Sequence, residues 1–338
     1  MKITAVEAYL LSFPLPGSGM KRDAMLIRVS TSEGIFGYAP GEPTASSKRL
    51  IDRLIAPFLT GRSLTDPDAL RILFQQGPGA DAEASRIYGA VEIALYDLAG
   101  KARNLPVSEL IGGRVRDRIR LYSTGPREPG FRAFRTTAAD AHAAREAAGP
   151  ELDMMVDASA WQQKSFEEVE SAARALSELE VRWIEEPFPP ADHESYARLR
   201  ALEIVPLAAG RNEPNELRLL DLIETPAVDY IQMDIVSQGS YAAARRLFPD
   251  IARAGLRFAF QCGPTPLDVV AAAHLGICWP ESVVRWLEYP LPIASEILKA
   301  PLQIERGSLI VPSGPGLGVD VDESVIWRYP YLEAPVAM

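Results

Sequence analysis

From Arg118 onward the chain alternates short apolar runs with amphipathic stretches, and this alternation constrains the fold more than any other feature. The runs RLYST, FRAFR, LDMMVDA, VRWIEE, VPLAAG, VDYIQMD, LRFAFQC and VVRWLE make eight candidate strands. Between them, Ser165 to Leu179, Ala191 to Leu202, Glu213 to Ile223, Ser240 to Ala254 and Leu267 to Leu275 carry apolar residues at helical spacing. Strands each followed by a helix build a parallel sheet, and eight of them close into a barrel. The first crossover is the exception. Thr124 and Arg132 are separated by seven residues that include Pro126, Pro129 and Gly130, which leaves no room for a helical crossover. The predicted fold is α/β: a modified TIM barrel, (β/α)7β-like, that has lost its first helix.

Such a barrel takes roughly 200 to 250 residues, so 338 residues leave space for a smaller partner unit. The first twelve residues and Ala24 to Gly37 alternate like strands, with Ser32-Glu33-Gly34 as a hairpin turn. Helical spacing follows in Ser47 to Leu59, Pro67 to Gln76 and Ala82 to Arg103, giving an α+β unit. Two Pro/Gly-rich loops, 14 to 24 and 38 to 43, are expected to act as lids that exclude water.

Composition removes several function classes. A net charge of -10 without a basic run lacks the phosphate-neutralising footprint of a nucleic-acid binder. Cys262 and Cys278 have neither CxxC spacing nor the number for a disulfide framework, which fits a reducing compartment. After Met1-Lys2 the chain enters a strand-like run, with no signal-peptide pattern and no apolar stretch of the ~20 residues that a membrane span needs. The expectation is a cytoplasmic protein with neither nucleic-acid nor membrane partners.

The segment Tyr88-Gly89-Ala90-Val91-Glu92-Ile93-Ala94-Leu95-Tyr96-Asp97-Leu98-Ala99-Gly100-Lys101-Ala102, with Leu105-Pro106-Val107 and Leu110-Ile111-Gly112-Gly113, resembles the capping-domain helix of mandelate racemase-like proteins. Val156-Asp157-Ala158 with Ala160-Trp161, Trp183-Ile184-Glu185-Glu186-Pro187, and Val311-Pro312 with Gly314 to Gly318 follow in the order of that family. The chain therefore resembles the mandelate racemase/muconate lactonizing enzyme branch of the enolase superfamily along nearly its whole length. The resemblance implies a capping domain made of residues 1–115 and 300–338 over a 116–299 barrel, with the site where the barrel strands end. It also implies Mg2+, a small carboxylate substrate and a homo-oligomer.

By this resemblance Asp157 and Glu185 match the first two metal ligands, although Asp157 also reads as a helix N-cap and Glu185 as half of a surface pair. The third ligand position holds Arg211, in Gly210-Arg211-Asn212-Glu213, and a guanidinium competes with a divalent ion. Asn212 or Glu213 would serve instead if the register shifts, and Glu213 equally reads as the first turn of a helix. Where relatives carry a Lys-x-Lys pair, this chain has Arg135 and Thr137, neither of them a good general base at pH 7. Arg135 reads as a substrate-carboxylate ligand or as a surface arginine. Asp234 is retained from an Asp/His dyad whose histidine is absent, and it could pair with Arg211 instead. Cys262 reads as packing before nucleophile, and none of His142, His193 and His274 falls at a strand end.

Two functions remain. The first is a lyase or isomerase that removes a proton α to the carboxylate of a hydroxy acid or acid sugar. Asp234 and Glu288 are then the acid/base candidates, Arg135, Arg211 and Gln261 hold substrate, and the Mg2+ site is atypical or absent. The second is a catalytically silent homologue that binds a carboxylate or serves as an oligomeric interaction protein.

Overall fold

The computed structural model describes residues 1–15, 17, 19–124, 130–214, 216–225 and 227–331. At the N-terminus, β1 (Ile3–Pro14), β2 (Lys21–Thr31) and β3 (Phe36–Gly41) form an antiparallel meander in the order β1-β2-β3. Two expected lids are therefore shorter than the sequence suggested. Tyr38 pairs with Arg28 and Gly41 with Met25, so residues 38–41 of the 38–43 segment are strand. Pro40 is tolerated because β3 lies at the sheet edge, where a missing N–H breaks no ladder. The first lid shrinks in the same way, because Pro14 pairs with Lys21; its residues 16 and 18 lie outside the described residues.

The helix Ala82–Arg103 packs under this meander and is buried along most of its length. Asp81 caps its start by accepting from the N–H groups of Glu83 and Ala84. Near its end the buried Asp97 accepts from Tyr38 N (2.8 Å), Lys101 Nζ (2.6 Å) and Leu317 N (2.7 Å). One carboxylate thus joins the meander, the helix and the C-terminal Gly-rich segment. Gly316 has to be glycine, since its φ is +70° and a Cβ there would lie 2.1 Å from Asp97 Oδ1. His274 does similar work: Ser108 N donates to its Nδ1 (3.3 Å) and Nε2 meets Leu317 O (3.1 Å). Burial lowers its pKa to about 4, so it is a neutral structural imidazole.

The barrel consists of eight parallel strands, β4 (Arg118–Thr124), β5 (Ala133–Thr137), β6 (Asp153–Asp157), β7 (Trp183–Glu185), β8 (Leu207–Ala209), β9 (Tyr230–Met233), β10 (Arg257–Phe260) and β11 (Val284–Pro290), closed by pairing of β11 with β4. Helices follow β5 through β10. The first of these, Ala141–Ala148, is not among the helices expected from the sequence; it is an alanine-rich run in which Ala141 alone is buried. No described residue between β4 and β5 is helical. A short antiparallel pair, β12 (Ile304–Glu305) and β13 (Ser308–Ile310), adds to the start of β4. The chain then returns to the meander, where Ser12 N donates to Tyr329 O (2.9 Å) and Arg28 meets Glu323 (2.9 Å). No described helix is long and apolar enough to cross a membrane.

Inside the barrel, one buried residue from each strand forms a floor: Tyr122, Ala133, Met155, Trp183, Ala208, Tyr230, Ala259 and Trp286. Ala133, Ala208 and Ala259 leave room between the larger side chains, and Trp183 packs against Tyr122 and Tyr230 with centroids 5.7 and 4.8 Å apart. Because strand side chains repeat every second residue, the residue two beyond each floor position also points inward. That rule generates the site.

Candidate active site

Two positions beyond the floor, the strands present Thr124, Arg135, Asp157, Glu185, Gly210, Gln232, Gln261 and Glu288. A polar layer thus sits directly on an aromatic one, at the C-terminal ends of the strands. The N-terminal unit lies over this end: Arg22 Nη1 donates to Pro292 O (2.7 Å) beyond β11, and Arg86 Nη1 to Ser237 O (3.0 Å) beyond β9.

Glu185 is the centre of the layer and is 1% exposed. Its Oε1 accepts from Arg135 Nη1 at 2.7 Å, and its Oε2 accepts from Trp183 Nε1 (2.9 Å) and Gln232 Nε2 (2.8 Å). Arg135 also reaches Glu288, with Nη2 3.5 Å from Oε1. Burial alone would lower the Arg135 pKa, but Glu185 and Glu288 beside it hold it above its ordinary value. The guanidinium is a permanent buried cation. Glu288 accepts Cys262 N–H at 2.9 Å on its other oxygen. Burial raises its pKa, opposed by Arg135, Arg211 and the Cys262 amide.

Among the described residues, Asp157, Asp234 and Arg211 make no hydrogen bond or ion pair with Glu185, Arg135 or Glu288. Asp157 is half-buried, and its Oδ1 accepts from both Ser159 N (2.9 Å) and Ser159 Oγ (2.6 Å), which caps the turn after β6. Asp234 accepts from Val236 N at 2.8 Å. Burial raises its pKa against the pull of nearby amides and of Arg211. Arg211 is exposed and makes no ion pair among the described residues, so neither the alternative Arg211–Asp234 pair nor an ion pair of Arg211 with the carboxylates forms. The guanidinium that occupies that place is Arg135, because β5 delivers it from the barrel wall whereas Arg211 lies on the rim. Burial pushes the Cys262 thiol well above its ordinary pKa, with Glu288 adding to the shift, which makes it a poor nucleophile.

The register shift that would bring Asn212 or Glu213 into the layer is opposed by Glu186. This second residue of the acidic doublet turns outward at a φ of +53°. Its Oε1 accepts from Gly210 N (3.1 Å) and Asn212 N (3.5 Å), and this fixes the turn that carries Arg211. Glu213 precedes the helix Glu216–Glu224 and faces His193 (3.0 Å) and Arg218 (3.7 Å).

Two functional candidates carry unmet hydrogen-bonding capacity. Among the described residues, Gln261, 2% exposed, has no partner for either amide atom, and Gln232 has none for Oε1. A buried amide left so is costly unless something else occupies its partner's place. Sequence reasoning passed over Gln232 for Asp234, although counting two from Tyr230 reaches it first.

The residues present do not fit a divalent cation. Both oxygens of Glu185 are engaged, a guanidinium stands 2.7 Å from it, and the third position is an arginine. No group of three His, Cys, Asp or Glu among the described residues is arranged to hold a metal ion.

Residues 16–112 match the family profile of the mandelate racemase/muconate lactonizing enzyme N-terminal domain, and residues 116–325 match the enolase C-terminal domain-like profile. The chain belongs to this family of the enolase superfamily. It is 24% identical to a D-galactarolactone cycloisomerase from Agrobacterium fabrum, over 97% of this chain and 99% of that one. The 3,6-anhydro-D-galactonate cycloisomerase structure from Zobellia galactanivorans superposes with a TM-score of 0.88 at 26% identity, covering 98% and 100% of the two chains. An L-talarate dehydratase from a Polaromonas species, crystallised with Mg and L-glucarate, shares the fold at TM-score 0.82 and 22% identity, covering 98% of each chain.

Proposed function

We propose that this protein is a lyase or isomerase acting at the carbon α to the carboxylate of a hydroxy acid or acid sugar. The carrying observation is the polar layer, in which a buried guanidinium, two enclosed carboxyl groups and two amides with free capacity converge on an aromatic floor. Acid-sugar cycloisomerases and dehydratases among the relatives support the substrate class.

In this reading Arg135 and Arg211 hold the substrate carboxylate, one from the barrel wall and one from the rim, and Gln261 and Gln232 hydrogen-bond its oxygens or hydroxyls. Asp234 and Glu288 share the proton work. The ionised member takes the α-proton, leaving an enediolate whose charge rests against Arg135. The protonated member gives its proton to the leaving hydroxyl, which departs as water, or to the opposite face of the carbon. Both carboxyl groups are raised above the ordinary carboxylate range by burial, which brings an acid closer to the pH at which it has to work. The cap drawn from 1–115 and 300–338 over a 116–299 barrel, self-association and a cytoplasmic location belong to the same proposal; the Ser12–Tyr329 and Arg28–Glu323 contacts support the first.

A catalytically silent carboxylate binder is the second reading. It is favoured by the neutralisation of Arg135 by Glu185 and by the lack of lysine and histidine in the layer. Mass-spectrometric exchange of a hydroxy-acid and acid-sugar panel in heavy water separates the two. Deuterium at the α-carbon or product formation supports the enzyme; tight binding of an acid with no exchange supports the binder.

A further inference from the structure

We infer that the Arg135 guanidinium is the resident cation of this site, built into the chain where a divalent metal would otherwise stand, and that the Arg135–Glu185 pair is what keeps a metal out. The inference rests on the reading above only for what the cation does to a substrate; the exclusion of metal stands on the geometry alone.

Three features make the exclusion local. Glu185 has no oxygen free of a protein donor: Oε1 belongs to Arg135, and Oε2 is shared by Trp183 from the floor and Gln232 from β9. A metal at Oε1 would have to displace a charge-assisted hydrogen bond of 2.7 Å and then sit beside the displaced guanidinium, a like-charge contact in a poorly solvated barrel. Asp157 is turned into its own capping interaction with Ser159, and Glu186 clamps the Gly210–Asn212 turn so that the third sequence position, Arg211 at the exposed rim, offers no carboxylate to the layer.

The same geometry gives Arg135 its use. Only Nη1 is committed at short range; Nη2 is 3.5 Å from Glu288, and the side chain remains 15% exposed toward the mouth. A substrate carboxylate entering from the mouth can take Nη2, and Glu185 and Glu288 keep the guanidinium charged at every working pH. Charge for an enediolate is then supplied by a side chain that cannot dissociate.

The test is a titration with Mn2+ followed by its electron paramagnetic resonance signal, on the wild-type chain, Arg211→Glu, and Arg135→Met/Arg211→Glu. Wild type and Arg211→Glu are expected to leave Mn2+ free into the millimolar range, while the double variant takes up one equivalent. Uptake of one equivalent by wild type that is lost in Asp157→Asn would overturn the inference, as would uptake by Arg211→Glu, in which the Arg135–Glu185 pair is intact. Should circular dichroism show the double variant unfolded, the wild type and Arg211→Glu titrations still decide. In parallel, any proton exchange by wild type is expected to be equal with Mg2+ and with chelator, and its loss in chelator overturns the inference. Absence of exchange on every substrate would sink the proposed activity and leave the Mn2+ result standing.

Discussion

Arg135 Nη1 lies 2.7 Å from Glu185 Oε1, and the two side chains come from β5 and β7 with β6 between them. The contact spans the barrel wall and is nearly sealed from water, so the two charges depend on each other. Arg135→Met leaves a buried carboxylate with only Trp183 and Gln232 as donors and is expected to cost about 3 kcal/mol or more. Arg135→Met/Glu185→Gln removes both charges and should recover part of that loss. A double-mutant cycle in urea should give a coupling of at least about 1 kcal/mol. Additive losses would mean that the pair is not coupled.

Gln261 offers the opposite trade. Both its amide atoms lack partners among the described residues, so Gln261→Leu removes an unsatisfied buried polar group and keeps the volume. Stability is expected to stay level or rise by about 1 kcal/mol. Affinity for the acid substrate is expected to fall by about tenfold or more, since each hydrogen bond lost to a ligand in such a pocket has no water to replace it cheaply. A variant that is less stable and binds unchanged would show that the amide serves the fold.

Glu288 should set a limb of the pH profile. Its pKa is raised by burial, so the protonated form persists above the ordinary carboxylate range. If that form delivers the proton, kcat/KM falls as pH rises through the shifted pKa. Glu288→Gln cannot deliver a proton; turnover should drop by about 10²- to 10⁴-fold and the limb should vanish. An unchanged profile in Glu288→Gln would shift the acid role to Asp234.

The order of barrel elements was legible because strand and helix periods differ, and a short first link was legible because Pro126, Pro129 and Gly130 crowd the seven residues between Thr124 and Arg132, of which 125–129 lie outside the described residues. Residues at the strand ends were legible one strand at a time. Which of them touch was not, because the contact of Arg135 with Glu185 depends on the stagger between strands that no single strand encodes. Arg211 therefore looked like the arginine beside the carboxylates, while the cation came from Arg135. Glu186 was hidden for another reason: its outward turn depends on a positive φ that acidic residues seldom adopt.

Asp268 tests how far this acidic end of the barrel strains the fold. It is 3% exposed and accepts from Thr265 N (3.0 Å) and Thr265 Oγ1 (2.6 Å) at the start of the helix Pro266–Gly276. Those bonds favour the ionised form, but burial outweighs them, Asp234 repels it, and its pKa is raised to about 7. In the unfolded chain an aspartate titrates near about 3.9. Between these values the folded state holds a proton that the unfolded state has released, so stability falls as pH rises from about 4 to about 7 and is level above that. Asp268→Asn stays neutral throughout, and its carbonyl oxygen can still accept from Thr265. Its unfolding free energy relative to wild type should therefore be higher at pH 8 than at pH 5 by about 2 kcal/mol, read from urea melts at the two pH values. Titrating groups that do not interact with Asp268 cancel in that difference, and the coupling to Asp234 is part of what it reads. If the Thr265 bonds win instead, the carboxylate is ionised at both pH values, and Asp268→Asn would be the less stable protein by a similar amount at each.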